Sequence, residues 1–189
     1  MYSKIILGTA QLGMQYGIGE FSKIKMSEIQ CFKILKKAWQ LGINTIDTSP
    51  NYGFSERRIY KFLKLNPLIN FHIITKLKNI PHQKVEKFVK KFVINNIFKK
   101  LKNCLSLTVL LHNEFDLTRS RVVNALDDLV ASELISNWGV SAYTIGIAKK
   151  TLDIKGCKII QIPFSLFNQS FKKNKLLNNL HLKKKNNSC

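Results

Sequence analysis

Acidic side chains are scarce in this sequence: Asp and Glu together number 11, against 31 Lys and Arg, and the formal net charge is +20. A field of this sign favours nucleic acid, phosphorylated ligands or anionic membranes as partners. The lysines, however, lie mostly at helical-surface positions along the whole chain, mixed with many Asn and Ile residues, as an AT-rich coding sequence would produce. Compositional drift and selected nucleic-acid binding both stay open. Because no aromatic-basic motif of an RNA- or DNA-binding module is present, we expect drift and no nucleic-acid partner.

Clustered cysteines and long apolar runs are also absent. Cys31, Cys104, Cys157 and Cys189 are scattered, with no CxxC pair or metal-ligand spacing, so we predict reduced thiols and no metal site. No apolar run approaches the ~20 residues that cross a bilayer. The N-terminal apolar run is short and continues into a strand-like pattern, unlike a signal peptide. We therefore expect a cytoplasmic protein with no membrane partner, whereas the oligomeric state stays open.

Alternating strands and amphipathic helices are what the 189 residues do contain. The predicted strands cover residues 4–9, 43–46, 72–77, 107–111, 137–143 and 158–163. The predicted helices cover residues 27–41, 55–65 (with Ser55 as N-cap), 83–102, 118–134 and 144–152. Residues 10–20 are predicted as a loop, and a helical tract begins at residue 171. Such alternation requires parallel strands with right-handed crossovers. Periodicity alone leaves two architectures open, an open doubly wound sheet and a (β/α)8 barrel.

Chemically capable side chains follow the ends of successive predicted strands. Asp47 ends the second strand, and Tyr52 lies in the turn that follows it. Lys76 lies near the end of the third strand, His112 follows the fourth, and Ser141 lies towards the end of the fifth. Barrels build one site from many different strand ends. The pattern therefore favours the barrel over the open sheet.

Four of these residues resemble a known catalytic tetrad. Asp47, Tyr52, Lys76 in IITKL and His112 in LLHN occur in the order found in the aldo/keto reductases. The segments LGTAQLG, GVSAY and IIQIPFSLFNQ resemble the same family, and the resemblance extends over residues 5 to about 180. It implies an α/β fold of the TIM (β/α)8 type and an oxidoreductase that transfers a hydride from NADPH to an aldehyde or ketone. The implied partner is a small-molecule carbonyl substrate, whose identity stays open.

The resemblance also assigns roles that elementary chemistry supports. Tyr52 would be the proton donor, although a free phenol with a pKa near 10 is a poor acid at pH 7. Lys76 within ~4–6 Å would stabilise the phenolate and lower that pKa. Asp47 would hold Lys76 in a desolvated pocket, and His112 would hydrogen-bond the carbonyl oxygen. Singly, each residue has a structural alternative, such as a turn aromatic or a snorkelling lysine. Their joint order and spacing favour the functional interpretation.

The cofactor implied by the resemblance is NADP(H). Two residues are carried over as contacts to the carboxamide of its nicotinamide, Ser141 and Gln161. The family often has Asn after that serine, whereas this chain has Ala142, so we expect one hydrogen bond fewer. Gln161 has a structural alternative as a polar capping group at a strand end.

The last two units of such a barrel are not found. About six βα units can be counted where the class needs eight, and the loops after strands seven and eight that hold phosphates are missing. We therefore predict an incomplete barrel domain over residues 1–182 with an irregular basic tail over 183–189, and we hypothesise a frameshift or a truncated reading frame. Strands one and six would be bare edges, so we expect poor folding or weak NADP(H) binding. A non-catalytic binding remnant of the fold is the alternative function.

Overall fold

A computed structural model describes residues 2–98, 104–173 and 176 as an α/β fold. The strands are β1 Leu7–Gly8, β2 Thr45–Asp47, β3 His72–Leu77, β4 Ser106–Leu111, β5 Asn137–Ser141 and β6 Cys157–Gln161. The α-helices are α1 Ala10–Gly13, α2 Glu28–Gln40, α3 Ser55–Leu65, α4 Val85–Phe92, α5 Ser120–Ala131, α6 Ile145–Lys150 and α7 Ser170–Lys173. Short 3-10 helices cover Glu20–Lys23 and Glu114–Thr118, and a π-helical turn covers Val93–Phe98.

The strand order decides between the two architectures. All six strands are parallel and lie in one sheet in the order β1-β2-β3-β4-β5-β6. A doubly wound sheet reverses its strand order at a switch point, whereas this sheet adds each strand on the same side, as a barrel does. Within the described residues, the predicted incomplete TIM-type barrel is therefore confirmed, with six strands. Within the described part of the chain, β1 and β6 each pair with one neighbour only.

The two faces of the sheet differ in character. Ile46, Val109 and Trp138 are fully buried and belong to the apolar core that the strands share with the surrounding helices. Because side chains alternate along a strand, Asp47 and Lys76 lie on the opposite, inner face. The helices thus cover an apolar outer layer, and the inner face is free to carry polar chemistry.

Local sequence explains where the helices begin. Ser27 caps α2 in a capping box, since its hydroxyl accepts from the backbone N–H of Gln30 and the Gln30 side chain accepts from the Ser27 N–H. Such a box satisfies two otherwise unpaired donors. The predicted cap Ser55 is instead the first residue of α3, and its hydroxyl donates to Thr9 Oγ1 at 2.8 Å. That prediction was wrong because a tertiary contact with the β1–α1 junction takes the hydroxyl.

Three further sequence expectations differ from the structure or lie outside it. The loop predicted over residues 10–20 contains the short helix α1. The helix predicted over residues 83–102 ends as α4 at Phe92 and continues in the π-helical turn, and residues 99–103 lie outside the described part. The predicted tail, residues 183–189, also lies outside it. No helix in the described ranges is long and apolar enough to cross a membrane.

Candidate active site

The centre of the candidate site is a buried ion pair between Asp47 and Lys76. The Lys76 Nζ donates to Asp47 Oδ1 at 2.6 Å and approaches the Thr48 carbonyl oxygen at 3.4 Å. Lys76 is 3% exposed and Asp47 is 9% exposed. Asp47 on β2 lies opposite Ile74 on the neighbouring strand β3. Lys76 is two residues beyond Ile74, so its side chain lies on the same inner face, one row nearer the carboxyl edge of the sheet than Asp47. The pair therefore places an ammonium at the carboxyl edge of the sheet with its charge balanced.

Tyr52 lies over this pair, in the turn between β2 and α3. The Lys76 Nζ is 5.4 Å from the centre of the Tyr52 ring. The turn is held by backbone hydrogen bonds from Tyr52 N–H to Ser49 O at 2.9 Å and from Ser55 N–H to Tyr52 O at 3.0 Å. Asp47 and Tyr52 thus meet Lys76, which belongs to the next strand, at one edge of the sheet.

Gly13 at the end of α1 fits tightly against this turn. The Phe54 N–H donates to Gly13 O at 3.1 Å, and a Cβ added at Gly13 would lie 1.7 Å from the Tyr52 carbonyl oxygen. Since the atom that the Cβ would meet belongs to the backbone, a side chain at Gly13 would displace the turn. The close approach of α1 therefore sets the position of Tyr52.

The acidity of Tyr52 differs from the expectation. Burial, together with the nearby Asp47 carboxylate, raises the pKa of Tyr52 to about 12. The expected lowering of this pKa was wrong, because burial and the Asp47 carboxylate both disfavour the phenolate. Burial favours the neutral phenol over the phenolate. Tyr52 is therefore fully protonated at neutral pH.

His112 follows β4 at the same edge. Its backbone N–H donates to Leu77 O at 2.9 Å, which extends the β3–β4 ladder by one residue. Its Nδ1 atom is buried and has no hydrogen-bond partner among the described residues. Burial, followed by the positive charges of Lys76 and Lys78, lowers the pKa of His112 below its usual value. A neutral imidazole retains one N–H donor and one acceptor, so His112 can hydrogen-bond a bound group.

The two residues carried over as carboxamide contacts are neighbours. Ser141 and Gln161 are opposite each other in the β5–β6 ladder, and the Ala142 N–H donates to Gln161 O at 2.8 Å. Ser141 is buried and Gln161 is half-buried. A hydroxyl beside a primary amide supplies both donors and acceptors. This pair suits the carboxamide of a nicotinamide, so the residues present fit the implied cofactor.

A lysine that the sequence did not single out, Lys78, lies on the inner face of the sheet at the same level as His112 and Ser141. Lys76 and Leu110 share a row, and the ladders place His112 and Ser141 two residues beyond it on β4 and β5. Lys78 occupies the same level after β3. Its Nζ donates to the side-chain oxygen of Asn51 in the Tyr52 turn. The strand period of two, counted from Lys76, is the signal that could have identified Lys78.

Tyr16 is a second residue that sequence reasoning missed. Its ring lies 6.5 Å, centre to centre, from that of Tyr52, although it belongs to a segment predicted only as a loop. No sequence signal pointed to it. Among the described residues no group of three or more His, Cys, Asp or Glu side chains could hold a metal ion.

Several solved structures share this fold. An aldo-keto reductase of Pseudomonas aeruginosa superposes with a TM-score of 0.76 at 22% identity, covering 96% of this chain and 70% of its own. The holo form of an aldo-keto reductase of Bacillus halodurans gives 0.73 at 20% identity, covering 95% of this chain and 59% of its own. An aldo-keto reductase of Klebsiella pneumoniae in complex with NADPH gives 0.66 at 20% identity, covering 94% and 60%.

The sequence itself supplies the assignment. No curated protein matches the chain, but the model of the aldo/keto reductase family matches residues 4–187. Since this match spans nearly all of the sequence, the chain belongs to the aldo/keto reductase family.

Proposed function

We propose that this chain is an NADPH-dependent reductase of aldehydes or ketones with Tyr52 as its proton donor. Family membership implies nicotinamide-dependent carbonyl reduction of a small molecule. The observation that carries the finer proposal is the phenol of Tyr52 over the buried pair of Lys76 and Asp47, at 5.4 Å from the ammonium to the ring centre. A proton donor beside a fixed positive charge is the arrangement that a developing alkoxide requires.

Each residue has a distinct part in the proposal. The cofactor, when bound, supplies the hydride for the carbonyl carbon, and Ser141 with Gln161 would hold its carboxamide. The Tyr52 hydroxyl donates its proton to the carbonyl oxygen, so the product is an alcohol and the phenolate is reprotonated by solvent. Lys76 places its ammonium beside the Tyr52 ring, and Asp47 keeps Lys76 in place.

His112 and the high pKa of Tyr52 both suit this role. The His112 imidazole, with its pKa lowered, donates a hydrogen bond to the substrate oxygen and orients the carbonyl. An alkoxide is a stronger base than a phenolate even when the pKa of Tyr52 is about 12, so proton transfer stays favourable. The Tyr52 hydroxyl also keeps its proton before each reaction, since the phenol is protonated throughout the neutral range.

Loss of NADPH absorbance at 340 nm with a panel of aldehydes tests the proposal. We expect Tyr52→Phe to lower kcat by about 100-fold or more, since a positioned proton donor contributes ~10²–10⁴-fold. Tyr60→Phe is the matched control, because Tyr60 is an exposed tyrosine on α3. Since Tyr52 stays protonated below its pKa of about 12, kcat should also be level between about pH 7 and pH 10. A Tyr52→Phe rate within a few fold of the original would contradict the assignment.

The second candidate is a non-catalytic binding protein built on the same fold. It is favoured by the strand pairing, since β1 and β6 each have one neighbour within the described residues. The chain matches the first four solved structures over 57–70% of their own length. NADPH binding measured by cofactor fluorescence, without turnover of any aldehyde, would support this candidate. Turnover that depends on Tyr52 would exclude it.

A further inference from the structure

Lys78 is a second ammonium at the mouth of the candidate site. It follows Lys76 by two positions, so alternation places both on the inner side of the sheet, Lys78 nearer the rim. The hydrogen bond from His112 N–H to Leu77 O continues the ladder and places Lys78 beside His112. The positive charge of Lys78 contributes to the lowered pKa of His112, in agreement with this placement.

Lys76 forms an ion pair with a carboxylate, whereas the described residues give Lys78 no such pair. The ion pairs among the described residues are Lys61 with Glu28, Lys76 with Asp47, and Arg119 with Asp116. The partner of Lys78 is the neutral side-chain amide of Asn51. Asp47 is already bound to Lys76 at 2.6 Å. The rim beside His112 and Tyr52 therefore carries a net positive charge.

We infer that Lys78 binds a carboxylate on the substrate, so that the preferred substrates are aldehydes or ketones that carry a carboxylate away from the reacting carbonyl. This inference rests on the proposed function. With the carbonyl oxygen between Tyr52 and His112, a substituent that extends towards the rim reaches the level of Lys78. An ammonium there attracts a carboxylate through a charge-assisted hydrogen bond. A neutral substrate would gain nothing from the same group.

A purely structural role for Lys78 has a different consequence. Its hydrogen bond to Asn51 also holds the turn that carries Tyr52. If that were its whole role, loss of the ammonium would weaken anionic and neutral ligands equally. Only a contact with the substrate's own charge discriminates between them.

Equilibrium binding of a matched pair of aldehydes tests the inference. The probes are 4-carboxybenzaldehyde and its uncharged methyl ester, titrated by calorimetry in the presence of NADP+, which cannot reduce them. We expect the full chain to bind the acid about tenfold more tightly than the ester at low salt, and we expect added salt to shrink the difference. Lys78→Gln should reduce the preference to within about twofold, and Lys78→Arg should retain it. The control Lys87→Gln removes the same charge from an exposed position on α4 and should leave the preference unchanged.

The outcomes separate this inference from the proposed function. Equal preference in the original chain and in Lys78→Gln, or no binding of the acid at all, would overturn the role of Lys78. A preference that disappears only in Lys78→Gln supports it, even if parallel assays find no NADPH oxidation. That absence of turnover would count against the reductase instead. Turnover without any preference for the acid would support the proposed reductase function and contradict the proposed carboxylate site.

Discussion

At the scale of single residues, the buried ion pair is the most costly feature of the site. The side chains of Lys76 and Asp47 are 4% and 12% exposed, so both charges have lost most of their water. Such a pair adds little net stability over apolar residues of the same size, but one member left alone is an uncompensated buried charge. The pair is therefore better explained by what it does for Tyr52 than by what it does for folding.

Removing one member of the pair should destabilise the fold strongly. We expect Lys76→Met to lower the free energy of unfolding by about 3–5 kcal/mol, because Asp47 is left buried and unpaired. The double variant Asp47→Asn/Lys76→Met should recover a substantial part of that loss. Urea unfolding monitored by circular dichroism measures both.

An exposed pair supplies the control. Lys61 and Glu28 form an ion pair whose side chains are 53% and 41% exposed, and Lys61→Met should cost only about 0–1 kcal/mol. Similar losses in Lys61→Met and Lys76→Met would mean that the interior pair is far better hydrated than its burial indicates.

At the scale of elements, the site depends on how α1 packs against the turn before α3. The meeting of the candidate residues Asp47, Lys76 and His112 at one edge could be predicted from sequence, because they follow strand ends and the ends of parallel strands meet at one edge. The tight contact between Gly13 and Tyr52 O could not, since it joins residues 39 positions apart through backbone atoms alone. The glycine looked like part of a flexible loop, and only the packing shows why a side chain is excluded there.

Gly13→Ala should therefore disturb the site indirectly, by moving the turn that carries Tyr52. A Cβ at 1.7 Å from Tyr52 O and 2.4 Å from Ser55 N cannot be accommodated without moving the turn. We expect a loss of about 1–3 kcal/mol in unfolding free energy together with a lower kcat for NADPH oxidation.

Gly146 on α6 provides the matched comparison. A Cβ there meets nothing within 4 Å, and alanine is favoured over glycine in helices by up to about 1 kcal/mol. Gly146→Ala should thus leave stability equal or slightly higher and turnover unchanged. Equal effects of the two substitutions would show that the turn adapts to the added methyl group.

At the scale of the whole molecule, apolar residues are exposed beside the two edge strands. Ile5 next to β1 is 66% exposed, and Leu166 and Phe167 after β6 are 87% and 100% exposed. Unpaired strand edges bordered by exposed apolar groups promote association between chains. The expectation of bare edges from the sequence agrees with this arrangement within the described residues.

A charge placed in the exposed apolar segment after β6 should reduce self-association. We expect Leu166→Lys to raise severalfold the concentration at which static light scattering detects oligomers, because it replaces an exposed apolar side chain next to an unpaired strand with a charged one. Leu68→Lys is the control, since Leu68 is also a leucine that is 87% exposed but lies in the turn after α3. The same shift in both variants would point to net charge, rather than the edge, as the cause.

The sequence by itself determined the succession of strands and helices, because periodicity is a local property of a chain. The order and spacing of its motifs indicated the family, and they pointed to Asp47, Tyr52, Lys76 and His112 as candidate site residues. Tertiary structure decided what depends on register and burial. It selected the barrel order of strands over the doubly wound sheet. It also buried Tyr52 beside the Asp47 carboxylate, so that the pKa of Tyr52 rises rather than falls. It also brought Lys78 level with His112. The physical reason is that a charge acts through its nearest partner and its solvent exposure, and both are set by residues remote in the sequence.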